Sequence, residues 1–395
     1  MSTLSRWREW RARAAARMHT QGGSMAGKVI LCLVNMKLLA IFGLFSLSVF
    51  AGRFEDLAAQ AAAARQANDV AKAVGLYRQA LAIKPDWAEG WWSLGTLFYD
   101  GDRYADGARA FSAFTTLDEK NPMGWGFLGL CEFETGGHER SLEHIRKALA
   151  GGAIEPSIEQ VLRFHEVLLL DKLGLFDQAM PRLRPFVKSG TKNTALLAAI
   201  GLTALRRPLL PKEIPAAEQG SVAAAGLAAY YWMANDEPAA AAAFKTLLAS
   251  YPNAAGVHYF YATYLLAFRP AEEAYAEFKR ELEVQPRNAD ARATIALLML
   301  RAGLIAQALP LAKQAAEDGP KSATAQYAYG LLLAQTGKFE EGIARLETAE
   351  RLDPANIEYH MGLAGAYSRA GRHEEARKER QKSLEMAHEG DSGAR

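Results

Sequence analysis

The sequence has few of the residues and motifs that catalytic and metal-binding proteins use. Two cysteines in 395 residues are too few for a disulfide framework. No Gly-x-Ser-x-Gly nucleophile motif, His-Glu-x-x-His zinc motif or calcium-loop spacing occurs, and the eight histidines are scattered. The segment GGSMAGK at 22–28 lacks the Ser or Thr that follows the lysine of a phosphate-binding loop. We therefore expect no catalytic activity, no cofactor and no metal site.

The chain also lacks an excess of charge of one sign, since its formal net charge is +2. Residues 1–53 carry eight basic residues and one acidic residue, which leaves 38 basic and 43 acidic residues, a net charge of −5, for the remainder. A nucleic-acid-binding protein needs a basic face. We expect no nucleic-acid partner, and the basic excess at the amino terminus is more typical of a targeting segment.

The apolar run Leu38–Ala51 is short for a membrane span. Fourteen helical residues cover ~21 Å, less than the ~30 Å hydrocarbon core. Extending the run back to Val29 gives enough length but places Lys37 inside. The run ends in a small-x-small pattern before Gly52, as a cleaved secretory signal does. Three alternatives stay open: a cleaved signal, an inner-membrane anchor over residues 29–51, or neither. The favoured localisation is periplasmic or cell envelope, with membrane contact only through this segment.

The chain contains an internal repeat with a period of 34 residues. Half of its residues are hydrophobic, which excludes a disordered chain. Prolines recur at positions 252, 286, 320 and 354. Small residues keep the same step at Ala61, Gly95, Gly129, Ala228, Ala262, Ala296, Gly330 and Ala364. A second small column follows twelve residues later, at Ala73, Gly107, Ser141, Ala240, Ala274, Ala308, Gly342 and Ala376. Three columns in one register indicate a repeat architecture.

Each unit reads as two amphipathic helices joined by a tight turn, as in WWSLGTLFYD followed by YADGARAFSAFTTL. Glycine inside a helix costs ~1 kcal/mol relative to alanine, so close helix packing must offset that cost. The small columns therefore mark the places where paired helices cross. Larger residues such as Trp91 and Trp125 fill the remaining space, and the proline after the second helix ends it.

The repeat resembles the tetratricopeptide repeat family. The family pattern of Trp, Leu-Gly and aromatic residues is matched by Trp91, Leu94-Gly95, Phe98 and Phe111, and the similarity covers roughly residues 54–388. It implies an all-α, right-handed superhelical solenoid of stacked antiparallel helix pairs. It also implies a function in protein–protein interaction.

The repeat pattern predicts five segments. The unit around Val167 and Ala179 is shifted by four residues, and three prolines interrupt the array after residue 205. The predicted segments are a leader with a signal or anchor (1–52), a front block (53–205), a proline-rich break (206–216), a rear block with a carboxy-terminal capping helix (217–388), and a disordered tail (389–395).

In such an array the first helices line the concave side, where a peptide or partner lies. The front stripe comprises Trp92, Thr96, Tyr99, Gly126, Leu130 and Phe133, with Phe127 beside it. The rear stripe comprises Ala225, Ala229, Trp232, Tyr259, Thr263, Leu266, Ala293, Leu297, Leu300, Tyr327, Leu331 and Ala334. The predicted partner-binding residues are Trp92, Thr96, Tyr99, Phe127, Leu130, Phe133, Trp232, Tyr259, Thr263 and Tyr327.

The stripes are apolar, and the only basic residues identified along them are Arg301 and Arg369, near the edges. Family members that grip an acidic carboxyl terminus use Lys, Arg and Asn there, so the resemblance does not extend to that mode. The predicted function is an exported scaffold or adaptor that binds a protein or peptide partner. The alternatives are a regulatory or carrier subunit of a separately encoded enzyme and packing of these aromatic residues against neighbouring repeats.

Overall fold

The computed structural model describes the backbone of residues 39–392 and the side chains of residues 52–388. Within these ranges the chain forms 19 α-helices, one 3₁₀ turn and no strand. The helices follow one another in antiparallel pairs, so the predicted all-α array is confirmed. The chain divides into two compact units, unit 1 at 1–162 and unit 2 at 163–395.

Unit 1 contains six complete helices. They are α1 (Leu39–Gln66), α2 (Val70–Ile83), α3 (Ala88–Asp100), α4 (Tyr104–Leu117), α5 (Pro122–Glu134) and α6 (His138–Ala150). Helix α7 (Pro156–Lys172) contains the boundary between the units.

Unit 2 contains twelve further helices. They are α8 (Phe176–Lys188), α9 (Thr194–Ala204), α10 (Gln219–Met233), α11 (Glu237–Ser250), α12 (Val257–Phe268), α13 (Ala271–Val284), α14 (Ala289–Arg301), α15 (Ile305–Asp318), α16 (Ala323–Gln335), α17 (Phe339–Leu352), α18 (Ile357–Arg369) and α19 (His373–Ser392).

The proline-rich segment at 206–216 lies inside unit 2, between α9 and α10, and forms only the 3₁₀ turn Pro211–Glu213. That it separates two blocks of the array stays a prediction. Helix α19 continues to Ser392, four residues into the segment predicted as a tail.

The small columns lie where paired helices touch. A Cβ added at Gly95 would lie 2.8 Å from the Phe111 ring, and one at Gly330 would lie 2.7 Å from Leu346 Cγ. The crossing of α9 and α10 is closer still. There, a Cβ at Gly226 would lie 2.0 Å from the carbonyl oxygen of Leu197. Only residues with little or no side chain allow these approaches.

The turn inside most helix pairs uses a left-handed residue, seven positions after the first small column; Arg269, at this position between α12 and α13, is extended instead. A positive φ favours glycine and is tolerated by Asn and Asp. The residues with positive φ at this position are Asn68, Asp102, Gly136, Asn235, Gly303, Gly337 and Gly371. The turn therefore explains part of the constant repeat length.

One side chain near the start of the first helix donates a hydrogen bond to the carbonyl oxygen six residues earlier. In unit 1 the donors are indole N–H groups, from Trp91 to Pro85 and from Trp125 to Glu119, each at 2.7 Å. In unit 2 four different side chains recur every 34 residues in the same role: His258, Arg292, Gln326 and His360. We call these six residues the donor column.

The predicted signal or anchor falls largely outside the described residues, which begin at residue 39. Helix α1 starts within the apolar run and continues without interruption through Gly52 to Gln66. No helix in the described part of the chain combines the length and apolar character needed to cross a membrane.

Candidate functional site

The front stripe lies on α3 and α5, where helical spacing places residues three and four apart on one face. Six of its predicted partner-binding residues divide by burial. Trp92, Thr96 and Phe127 are half-buried, whereas Tyr99, Leu130 and Phe133 are buried. The accessible part of this face is therefore formed mainly by two aromatic rings.

These rings belong to one aromatic cluster. Trp92 lies edge-on to Phe127, with ring centroids 5.5 Å apart, and 5.2 Å from Phe114. Phe127 stacks on Phe111 at 5.4 Å and meets Tyr99 edge-on at 5.2 Å. Packing against neighbouring helices, one of the two alternatives for these residues, thus accounts for much of their surface. It also fixes the orientation of the rings that stay half-exposed.

Arg65 is a basic residue of the same face that the sequence analysis missed. Its Nη1 donates to Ser93 Oγ and its Nη2 to Thr96 Oγ1, both at 3.1 Å. Because Arg65 precedes Tyr99 by 34 residues, the repeat spacing itself could have identified it. The front stripe therefore carries a positive charge at the end nearest the amino terminus.

The rear stripe is also largely covered by the chain itself. Trp232 is half-buried and meets Tyr264 edge-on at 5.7 Å. Tyr327 lies 4.9 Å from Tyr359, and burial raises the pKa of Tyr327 to about 12. Thr263 uses its hydroxyl group to donate to the carbonyl oxygen of Tyr259 at 2.9 Å. None of these four predicted residues is fully exposed.

A buried arginine lies against the rear stripe. Arg206, just after α9, has its guanidinium carbon 5.6 Å from the Tyr259 ring centroid and its Nε 2.7 Å from Asp290 Oδ2. Its Nη1 and Nη2 donate to the two carboxylate oxygens of Asp177 at 2.7 and 3.1 Å. Burial alone would raise the pKa of Asp177, but the charge and hydrogen bonds of Arg206 lower it below its usual value.

A second contact joins α8 to the carboxy-terminal repeats of unit 2. Gln178 Nε2 donates to the carbonyl oxygen of Leu352 at 2.6 Å, although the two residues are 174 positions apart. Burial raises the pKa of the adjacent Asp353, and the charge of Asp177 raises it further. The amino-terminal end of α8 is therefore part of the packed interior of unit 2.

One group of possible metal ligands occurs among the described residues, formed by Glu350, His360 and Glu379, with ligand atoms within 4.8 Å of one another. However, the Lys382 ammonium lies 3.0 Å from Glu350 and 2.8 Å from Glu379. His360 Nδ1 lies 2.7 Å from Glu379, and its Nε2 donates to Pro354. A metal ion would have to displace the lysine, so these residues are better described as an ion-pair network.

Comparison with known proteins identifies the repeat. Two family models, each described as a tetratricopeptide repeat, match the chain: one at residues 58–122 and 93–154, the other at residues 299–361 and 333–389. A search of curated proteins finds no match.

Solved structures with similarity to the chain include MamA from Desulfovibrio magneticus RS-1, at 22% identity over 43% of this chain and 97% of that one, with a TM-score of 0.34. YrrB, described as a TPR protein with an unusual peptide-binding site, is 19% identical over 40% of this chain and 82% of that one, with a TM-score of 0.31. A chain of the CopN–Scc3 complex is 20% identical over 30% and 67%, with a TM-score of 0.25.

Proposed function

Since the chain is a tetratricopeptide repeat protein, we propose that it is a non-catalytic scaffold or adaptor that binds a peptide or protein partner through its front stripe. The half-buried rings of Trp92 and Phe127 carry this proposal. Aromatic side chains dominate the binding energy of many protein interfaces. Rings held in place before binding also reduce the ordering cost of association.

The chemistry of the front stripe defines the partner. Its accessible surface is aromatic, so the partner segment supplies apolar or aromatic anchors. Arg65 adds one charge, which favours an acidic residue in the segment next to those anchors. A partner segment with several acidic groups would find only Arg65 as a basic partner on this stripe. It would therefore gain less binding energy here than from a groove lined by several basic residues.

A peptide selection tests this function. A random 12-residue peptide library is selected on the full chain, and the enriched peptides are measured by fluorescence anisotropy. We expect apolar or aromatic anchors in the enriched peptides and an affinity at least tenfold lower for Trp92→Ala. The matched control is Trp125→Ala, because Trp125 belongs to the donor column and lies outside the front stripe.

Two results would count against the proposal. One is equal loss of affinity in Trp92→Ala and Trp125→Ala, which would indicate general destabilisation of unit 1. The other is the absence of any peptide with saturable binding. Circular dichroism of each variant shows whether its helices are intact.

The proposed location of the scaffold is the cell envelope. This is supported by the basic excess of residues 1–53 followed by the apolar run. Sequencing the amino terminus of the chain recovered from envelope fractions distinguishes the alternatives. A start near residue 52 indicates a cleaved signal, and an intact start in the membrane fraction indicates an anchor. Recovery in the cytoplasm alone would overturn the proposal.

A further inference from the structure

The buried guanidinium group of Arg206 is enclosed on two sides by residues of unit 2. On one side are Tyr259 and Asp290, and on the other are Asp177 and Phe176, whose ring centroid lies 5.2 Å from the guanidinium carbon. The Arg206 side chain is only 13% exposed. Two carboxylates and two aromatic rings around one planar cation form a site that suits a guanidinium group.

The residues around Arg206 are themselves held in place. Asp290 accepts a hydrogen bond from the Ser322 hydroxyl group, and it lies in the first turn of α14, where the helix dipole favours a negative charge. Tyr259 packs against the Phe278 ring at 5.6 Å and donates its backbone N–H to Glu281 at 3.1 Å. The side of the site formed by Tyr259 and Asp290 is therefore organised by contacts that do not depend on Arg206.

The site also belongs to the predicted binding face. Tyr259 is a member of the rear stripe, and Asp290 lies three residues before Ala293, which is another member, so both share one side of their helices. A partner that reached the rear stripe would meet these two side chains. In this structure the chain's own arginine contacts them instead.

Arg206 lies outside the helices that position the residues around it. Its backbone is left-handed, with φ of 53°, a conformation that is unfavourable for a residue with a side chain. It lies at the start of the irregular segment between α9 and α10. Its Nε contacts Asp290 as an ion pair but lacks the alignment of a hydrogen bond. These features permit the arginine to leave without unfolding a helix.

We propose that unit 2 carries a guanidinium-binding site on its rear stripe, which Arg206 fills from within the chain, so that a partner binds there through an arginine side chain that replaces Arg206. This inference rests on the proposed function, because it assigns a partner chemistry to the second predicted binding face. A lysine is a poorer substitute, since its compact ammonium lacks the planar fork that reaches both carboxylate oxygens of Asp177 while the Nε faces Asp290.

The chain's own segment provides the probe. A fluorescent peptide copying residues 203–210 (TALRRPLL) is titrated against the full chain and the full-length Arg206→Ala variant. We expect at least tenfold tighter binding to Arg206→Ala, because the site is vacant there. The control peptide has citrulline in place of Arg206, which keeps the shape but removes the charge, and should bind at least tenfold more weakly.

Further variants separate this site from the front stripe. Asp290→Asn added to Arg206→Ala should reduce the preference for arginine over citrulline, with Asp177 as the remaining carboxylate. Trp92→Ala added to Arg206→Ala should leave probe binding unchanged, so failure of the front-stripe function and failure of this inference are distinguishable. Equal binding of the arginine and citrulline peptides, or equal binding to wild type and Arg206→Ala, would overturn the inference.

A rescue experiment covers poor folding of the variant. If Arg206→Ala melts at a lower temperature than wild type, ethylguanidinium should raise the melting temperature of the variant more than ethylammonium does. In wild type, the two ions should have the same effect on the melting temperature. Arg206→Lys, which keeps a positive charge, provides a second folded variant for the peptide titration. Identical effects of the two ions, with no preference for the arginine peptide in Arg206→Lys, would exclude the site.

Discussion

The donor column shows what the sequence pattern reveals about single residues and what it does not. Trp91 and Trp125 were identified from the sequence as large residues that fill space, whereas the structure adds the hydrogen bond that each indole donates. In unit 2 the same position holds His, Arg and Gln. These side chains share a donor N–H but neither size nor charge, so no hydrophobic or small-residue column marks them. Their common role becomes visible only when the acceptor carbonyl is located.

His258 in this column is expected to make stability depend on pH. Its Nε2 faces the Pro252 carbonyl at 2.8 Å and its Nδ1 faces Glu277 at 2.6 Å, so both neighbours accept hydrogen bonds and the charged ring satisfies both. The hydrogen bond with Glu277 raises the pKa of His258 against the effect of burial, with Glu281 adding to the rise. Because the folded-state pKa is raised, this stabilisation is complete below the unfolded-state pKa of ~6.5 and is lost as pH rises through the folded-state value.

His258→Gln tests this expectation, because Gln326 occupies the same column as a neutral donor. The free energy of unfolding is measured with urea at pH 6 and at pH 9. Between these two pH values, wild type should lose about 1 kcal/mol more of it than His258→Gln does. The other buried histidine of the column, His360, is present in both proteins, so the difference isolates His258. Parallel pH dependence in the two proteins would show that the ring is not charged in the folded state.

At the scale of helices, the spacing of small residues predicts where two helices meet but not how closely. The pattern identifies the shifted unit around Val167 and Ala179, and both side chains are buried, in α7 and α8. Helix α8 continues through Pro181 and Pro185. Contacts between residues far apart in the chain, such as Gln178 with Leu352, have no periodic signal in the sequence.

Gly226 and Gly201 are expected to be the most sensitive of the crossing glycines, because a Cβ at either would lie 2.0 Å from a backbone carbonyl oxygen of the facing helix. In Gly226→Ala the new methyl group would lie 2.0 Å from the Leu197 carbonyl oxygen, so α9 and α10 must separate. We expect a loss of about 3 kcal/mol or more, measured by urea unfolding, because a backbone atom cannot rotate away as a side chain can.

Gly365→Ala is the matched control for this substitution. Gly365 also lies inside a helix, α18, but has no atom within 4 Å of an added Cβ. It should gain about 0.5–1 kcal/mol from higher helix propensity. Similar effects of the two substitutions would mean that α9 and α10 are not in close contact.

At the scale of the whole molecule, each helix pair contacts mainly its neighbours, so stability is a sum of local terms and the chain need not unfold in one step. The 34-residue period predicts that each helix pair contacts its neighbours. It does not predict the division of the chain into two compact units, which depends on contacts that do not repeat with that period. The front stripe belongs to unit 1 and the Arg206 site to unit 2. The two candidate binding faces can therefore be altered separately.

We expect scanning calorimetry of the full chain to show two transitions, one for each compact unit. Gly95→Leu places its side chain against Phe111 and should lower the melting temperature of the transition of unit 1. Gly330→Leu meets Leu346 and the Gly342 carbonyl oxygen and should lower only the other transition. Gly365→Leu, with open space around its Cβ, is the control and should lower neither melting temperature, because leucine has a higher helix propensity than glycine. The contrary result is a single transition whose melting temperature is lowered by both Gly95→Leu and Gly330→Leu. It would show that the repeats unfold as one cooperative block, and the stability of the two binding faces could then not be altered independently.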